Sequence, residues 1–107
     1  MNALQDLTTF STIGLPVVIR TKTGVVYGRV VSLHGTPVGR VYSQVTFRTP
    51  GGSTIGPVGI MRFSMMGATD RLTTEDLEKL RTFEELAKKK GQVSPGYWEA
   101  KRQYEDK

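Results

Sequence analysis

Pro16-Val17-Val18-Ile19-Arg20-Thr21-Lys22-Thr23-Gly24-Val25-Val26-Tyr27-Gly28-Arg29-Val30-Val31-Ser32-Leu33-His34 is the stretch that decides the fold. From Leu15 the side chains alternate with period two. Val17, Ile19 and Thr21 share one face, and Val18, Arg20 and Lys22 the other. Thr23-Gly24 marks a turn between two strands. The run from Val25 to Leu33 is β-branched and long for a strand. Gly28 in its middle predicts the bend or bulge that a tightly curved sheet needs.

Working outward, His34 to Gly39 reads as a loop, with Gly35 and Pro37 inside it. Arg40 to Arg48 reads as a further strand. Val41, Ser43, Val45 and Phe47 lie on one face, and Arg40, Tyr42, Gln44, Thr46 and Arg48 on the other. Thr49-Pro50-Gly51-Gly52-Ser53 is a turn. Thr54 to Met65 predicts two short strands broken at Gly56-Pro57, with Met61, Phe63 and Met65 alternating against Ile60, Arg62 and Ser64. Leu4, Leu7 and Phe10 are spaced by threes, as in a short N-terminal helix covering one barrel mouth. The expectation is mainly β with C-terminal α: a five-stranded small barrel of SH3 or Sm type over residues 1–68, followed by a helical hairpin over 71–107. Closing the sheet would remove the exposed edges of so small a domain.

Charge is distributed unevenly. Between Asp6 and Asp70 there is no acidic residue in 63 positions, yet Arg20, Lys22, Arg29, Arg40, Arg48 and Arg62 fall there. Residues 71–107 instead hold nine Lys/Arg against eight Asp/Glu. A surface without carboxylates suits a polyanion. Arg40, Tyr42 and Arg48 share one strand face, and Arg20, Lys22, Tyr27 and Arg29 sit on neighbouring strands. Arginines in such a pattern pair with phosphates, and tyrosines stack bases.

In the last third, Leu77, Leu80, Phe83, Leu86 and Ala87 form one apolar stripe at helical spacing. Thr73 is placed to cap the start, Glu75 and Asp76 to favour the dipole, and Lys88-Lys89-Lys90 with Gly91 to end the helix. Ser94-Pro95 predicts a restart, with Ser as cap and Pro at the first helical position. The second helix would present Tyr97, Trp98 and Tyr104. A hairpin this small cannot bury its stripe alone. Leu77, Leu80, Phe83, Trp98 and Tyr104 are therefore expected at a contact, either with a partner copy or with the barrel.

Two resemblances attach to these segments. Residues 16–34 look like the first signature of Sm-like proteins, an alternating strand, a turn glycine (Gly24) and a bent strand with a central glycine (Gly28). Ile60-Met61-Arg62-Phe63 resembles its second signature. His34 stands where that family has Asp, no Asn follows between Gly35 and Val41, and Phe63 replaces Gly, so the family's nucleotide pocket is not carried over. Residues 74–104 resemble a SHOCT domain. They read Leu77-x-x-Leu80-x-x-Phe83-x-x-Leu86, then Gly91-Gln92-Val93-Ser94, then Tyr97-Trp98-Glu99-Ala100-Lys101-Arg102. That resemblance implies oligomerisation or protein contact rather than chemistry.

Catalysis is not expected. One histidine, no cysteine and two carboxylates before residue 71 assemble no nucleophile–base set and no metal site. Gly51-Gly52-Ser53-Thr54 lacks the lysine of a phosphate loop. No cofactor and no small-molecule substrate are expected. No apolar run approaches a membrane span and no secretion signal opens the chain, so the expected compartment is the cytoplasm or the interior of a virion. The leading functional expectation is a non-catalytic nucleic-acid-binding barrel, for RNA or DNA, with the hairpin for oligomerisation or docking. The alternative is a structural or adaptor protein of a larger assembly, such as a virion component, whose basic barrel docks on a protein.

Overall fold

The computed structural model describes residues 12–36, 42–92 and 96–106. The strands are β1 (Pro16–Thr21), β2 (Gly24–His34), β3 (Gln44–Arg48), β4 (Thr54–Gly59) and β5 (Ala68–Thr69). They form one antiparallel sheet in the order β4-β3-β2-β1-β5. The helices are α1 (Ile60–Met65), α2 (Thr74–Lys89) and α3 (Tyr97–Glu105). The expected N-terminal helix, the start of the third strand at Arg40 and Val41, and the Ser94-Pro95 restart lie outside the described residues. The described helix α3 starts at Tyr97 behind Gly96, which is left-handed at φ 79°.

The β1–β2 hairpin turns where the sequence places it, with Thr21 opposite Gly24. Alternation then sorts its side chains onto two faces. Val17, Ile19, Val30, Val45 and Phe47 point into the main core, joined by Ile60 and Phe63 of α1. Val18 and Tyr27 point the other way and meet Leu80 of α2, with Leu72 packed against them. Both faces of the central strands are thus covered, one by the bent sheet and α1, the other by α2 and α3.

Three expectations need correction. Residues 60–65 are helical, not a strand. Ile60 and Phe63, three apart, are the buried pair, while Met61 and Met65 are exposed. Over six residues a period of two and a helical period fit the same apolar letters, so pattern alone does not decide. As a result the fifth strand is Ala68–Thr69, paired with β1. The sheet is also open: β4 and β5 are its edges, and among the described residues no ladder joins them. Helix α1 runs between these two edges and fills the seam with Ile60 and Phe63. Finally, the irregularity in β2 falls between Val30 and Ser32 rather than at Gly28. Gly28 has a different reason: a Cβ there would collide with the Arg48 carbonyl oxygen and the Phe47 ring.

Candidate functional site

The outer face of β1 and β2 was the centre of the expected polyanion surface, and the structure puts its basic residues to another use. Helix α2 starts with a capping box in which Asp76 N–H donates to Thr73 Oγ1 (3.0 Å) and Thr73 N–H donates to Asp76 Oδ2 (3.1 Å). Its buried residues are Asp76, Leu80, Glu84 and Ala87, a stripe in which carboxylates alternate with apolar groups. The two carboxylates meet the sheet. Arg20 donates to Asp76 Oδ2 (2.6 Å) and the Tyr27 hydroxyl donates to Asp76 Oδ1 (3.0 Å). Arg29 Nε donates to Glu84 Oε2 (2.9 Å), and the Tyr97 hydroxyl donates to the same oxygen (2.8 Å).

Arg29 ties four segments together. Beyond Glu84 of α2, its Nη1 donates to the Gly14 carbonyl (2.9 Å), and its Nη2 lies 3.8 Å from Glu105 Oε2 of α3. Its side chain is 4% exposed. A planar guanidinium can serve these directions at once, and a lysine could not. Beside it, Gly14 (φ 86°) lets α3 come close, because a Cβ there would strike the Ala100 carbonyl oxygen and the Tyr104 Cβ.

Electrostatics follow from this packing. Asp76 is held down to about 2, first by the Thr73 backbone N–H, then by the hydroxyls of Tyr27 and Thr73 and by Arg20. Burial pushes the Tyr27 phenol up, with Asp76 adding to the rise, and burial with Glu84 beside it pushes Tyr97 up. Glu105 is lowered, chiefly by Lys101, whose Nζ lies 2.7 Å from its Oε1.

The expected binding residues therefore separate. Tyr27 and Arg29 are buried and paired within the chain, so they do not form part of an exposed basic face. Arg20 is half-exposed and ion-paired. Lys22 is exposed in the β1–β2 turn, Tyr42 and Arg48 are half-buried, and Arg40 lies outside the described residues. Arg48 stands opposite Arg29 in the β2–β3 register. His34 ends β2 rather than opening a loop, and its Nε2 sits 2.9 Å from both Ser32 Oγ and Thr46 Oγ1. Among the described residues no group of three or more His, Cys, Asp or Glu is placed to hold a metal ion, and no helix is long and apolar enough to cross a membrane.

The expected contact residues separate too. Leu80 is fully buried against the sheet, which settles its partner as the chain's own β1 and β2. Leu77 and Tyr104 are half-buried and line a cavity of about 520 Å³ together with Arg29, Arg81, Asp70 and Glu105. Trp98 is half-buried, edge-on to Tyr97 at 5.6 Å, with Lys101 Nζ 5.8 Å from its ring centre. Phe83 leans on the Tyr27 ring (centroids 5.9 Å apart) but stays 46% exposed.

Phe83 is not alone. Val25 and Leu86 are 45% and 44% exposed, and all three line one groove of about 410 Å³ with Pro50 and Lys90. Sequence reasoning missed Val25 and Lys90 as groove residues, and it missed Glu84 altogether. The signal for Glu84 was present: an acid in line with Leu80 and Ala87, opposite a strand run rich in arginine and free of acids. Compared with known proteins, the chain matches no family model, no curated protein and no solved structure, and its functional reading rests on this geometry.

Proposed function

We propose that the chain is a non-catalytic docking protein that offers the groove between the β1–β2 hairpin and α2 to a protein partner. The observation that carries this reading is the gathering of Val25, Phe83 and Leu86, each close to half-exposed, in one concavity. Exposed apolar side chains scattered singly need no explanation, whereas a contiguous set in a groove marks a contact site. The strand order, with α1 filling the seam between β4 and β5, supports the small-barrel reading of the sheet: a strongly bent frame on which α2 is fixed by one buried and one half-exposed ion pair. A fixed frame limits the ordering cost of binding. The α2–α3 segment belongs to that frame, and its groove-facing stripe does the contacting.

A second reading keeps the polyanion partner. It is favoured by the acid-free run from residue 7 to 69, which leaves Lys22 and Arg62 exposed with no carboxylate in their own segment. One pair of titrations separates the two. The anionic apolar dye anilinonaphthalene sulfonate, added to the folded protein, is expected to brighten at the groove and to lose that signal in Leu86→Ser. Labelled single-stranded RNA, single-stranded DNA and duplex DNA are expected to give no anisotropy rise at moderate salt. Salt-sensitive binding of an oligonucleotide that disappears in Lys22→Ala/Arg48→Ala, without dye binding, would replace the docking reading with the second.

A further inference from the structure

The charge around the groove identifies its occupant. Lys79, Phe83, Leu86 and Lys90 follow one another at helical spacing, so two apolar side chains lie between two lysines on one stripe of α2. The stripe from Lys79 to Lys90 is about 16 Å long at the helical rise per residue. Among the described residues Lys90 is the single charged side chain lining the groove, and Lys88, Lys89 and Lys90 make no ion pair. Lys79 pairs with Glu75 at 3.3 Å, but both side chains are more than half exposed, and such a pair is worth little.

The cavity on the opposite flank of α2 is built differently. There Arg29 and Arg81 stand with Asp70 and Glu105, two charges of each sign, and Arg29 already serves Glu84. On the Phe83 flank, by contrast, Lys90 lines the groove without an ion pair and Lys79, on the same stripe, is held only by the exposed Glu75. A second copy of the chain is a poor occupant. Stripes packed antiparallel would set Lys90 of one copy beside Lys79 of the other, and parallel packing would set like on like. Of the two aromatic residues lining the groove, Tyr27 is buried behind Phe83, so a single exposed ring remains, a poor stack for successive bases.

We infer that the groove seats an acidic amphipathic segment of a partner protein: two or three apolar side chains set against Val25, Phe83 and Leu86, flanked by carboxylates about three helical turns apart that meet Lys79 and Lys90. This inference rests on the docking reading above. Apolar contact supplies the affinity, and the flanking charges supply orientation and rejection of basic segments.

The test uses a displayed library of random 16-residue peptides selected on the full chain. Enriched peptides are synthesised and titrated by anisotropy against wild type, Leu86→Ser and Lys79→Glu/Lys90→Glu, each variant first shown to keep its urea midpoint. The expected peptides combine apolar residues with acids. Their affinity falls at least tenfold in Leu86→Ser and at least tenfold in the charge reversal. Peptides that lose affinity in Leu86→Ser but not in the charge reversal would leave the docking reading standing and overturn the acidic partner. Selected peptides indifferent to Leu86→Ser would overturn both. A dimer in sedimentation equilibrium that Leu86→Ser dissolves would assign the groove to a second copy and overturn the inference.

Discussion

Removing the Glu84 carboxylate would strand Arg29 in the interior with one backbone carbonyl and a distant Glu105. Breaking a buried ion pair from one side costs about 3–5 kcal/mol. Glu84→Ala is therefore expected to lower the urea unfolding free energy by about that amount, whereas its exposed neighbour in Glu85→Ala changes it by less than about 0.5 kcal/mol. The double variant Arg29→Met/Glu84→Leu is expected to recover part of the loss, because apolar residues of similar volume replace a buried pair at little cost while the Tyr97 hydroxyl and the Gly14 carbonyl lose their partners. Glu84 Oε1, buried without a hydrogen-bond partner, makes that recovery larger. Asp76 gives a pH signature. Its folded value of about 2 lies below the ordinary 3.8, so the folded state binds the proton less readily than the unfolded chain. Its contribution is complete above about pH 4 and is lost as pH falls through about 2. The melting temperature is expected to fall across that window, and Asp76→Asn to flatten the fall. A variant as acid-sensitive as wild type would show that the Thr73–Asp76–Arg20 cluster contributes no linkage.

At the scale of the elements, α3 is held where Gly14 permits it. Gly14→Ala adds a left-handed strain of about 1–3 kcal/mol and a collision with Ala100 and Tyr104. Since Trp98 is the single tryptophan and lies on α3, its emission is expected to shift red in Gly14→Ala before the sheet unfolds. Coincident loss of tryptophan and far-ultraviolet signals would show that α3 does not come away alone. These elements also show what the sequence makes legible. The β1–β2 hairpin and α2 are readable because a sustained period and its stop signals agree over ten or more residues. Helix α1 is not, because six residues carry too little period. The candidate site was half legible. Phe83 stands out by spacing and Lys90 falls on the same helical stripe, but Val25 joins them only through tertiary packing. Tyr27 and Arg29 are legible as an outer strand face and illegible as buried, because burial depends on Asp76 and Glu84 some 50 residues later.

For the whole molecule, α2 and α3 share buried groups with the sheet, through Leu80 against Val18 and Tyr27 and through Arg29 with Glu84 and Tyr97. A chain ending at Asp70 would expose Val18 and Tyr27 and leave Arg20 and Arg29 without their carboxylates. It is expected to show no cooperative thermal transition by circular dichroism. A sharp melt from that fragment would show instead that the sheet is self-sufficient and that α2 and α3 are accessories. The placement of the carboxylates also orders events in time. Every arginine of the sheet is translated before Asp76 and Glu84 exist, and the ribosome beside the emerging chain is itself a polyanion. The nascent sheet therefore carries the charges of Arg20 and Arg29 without their carboxylates until α2 is made. Native pairing of the sheet waits for α2, and a product stalled before residue 76 presents basic side chains and an apolar face that α2 covers once it is made.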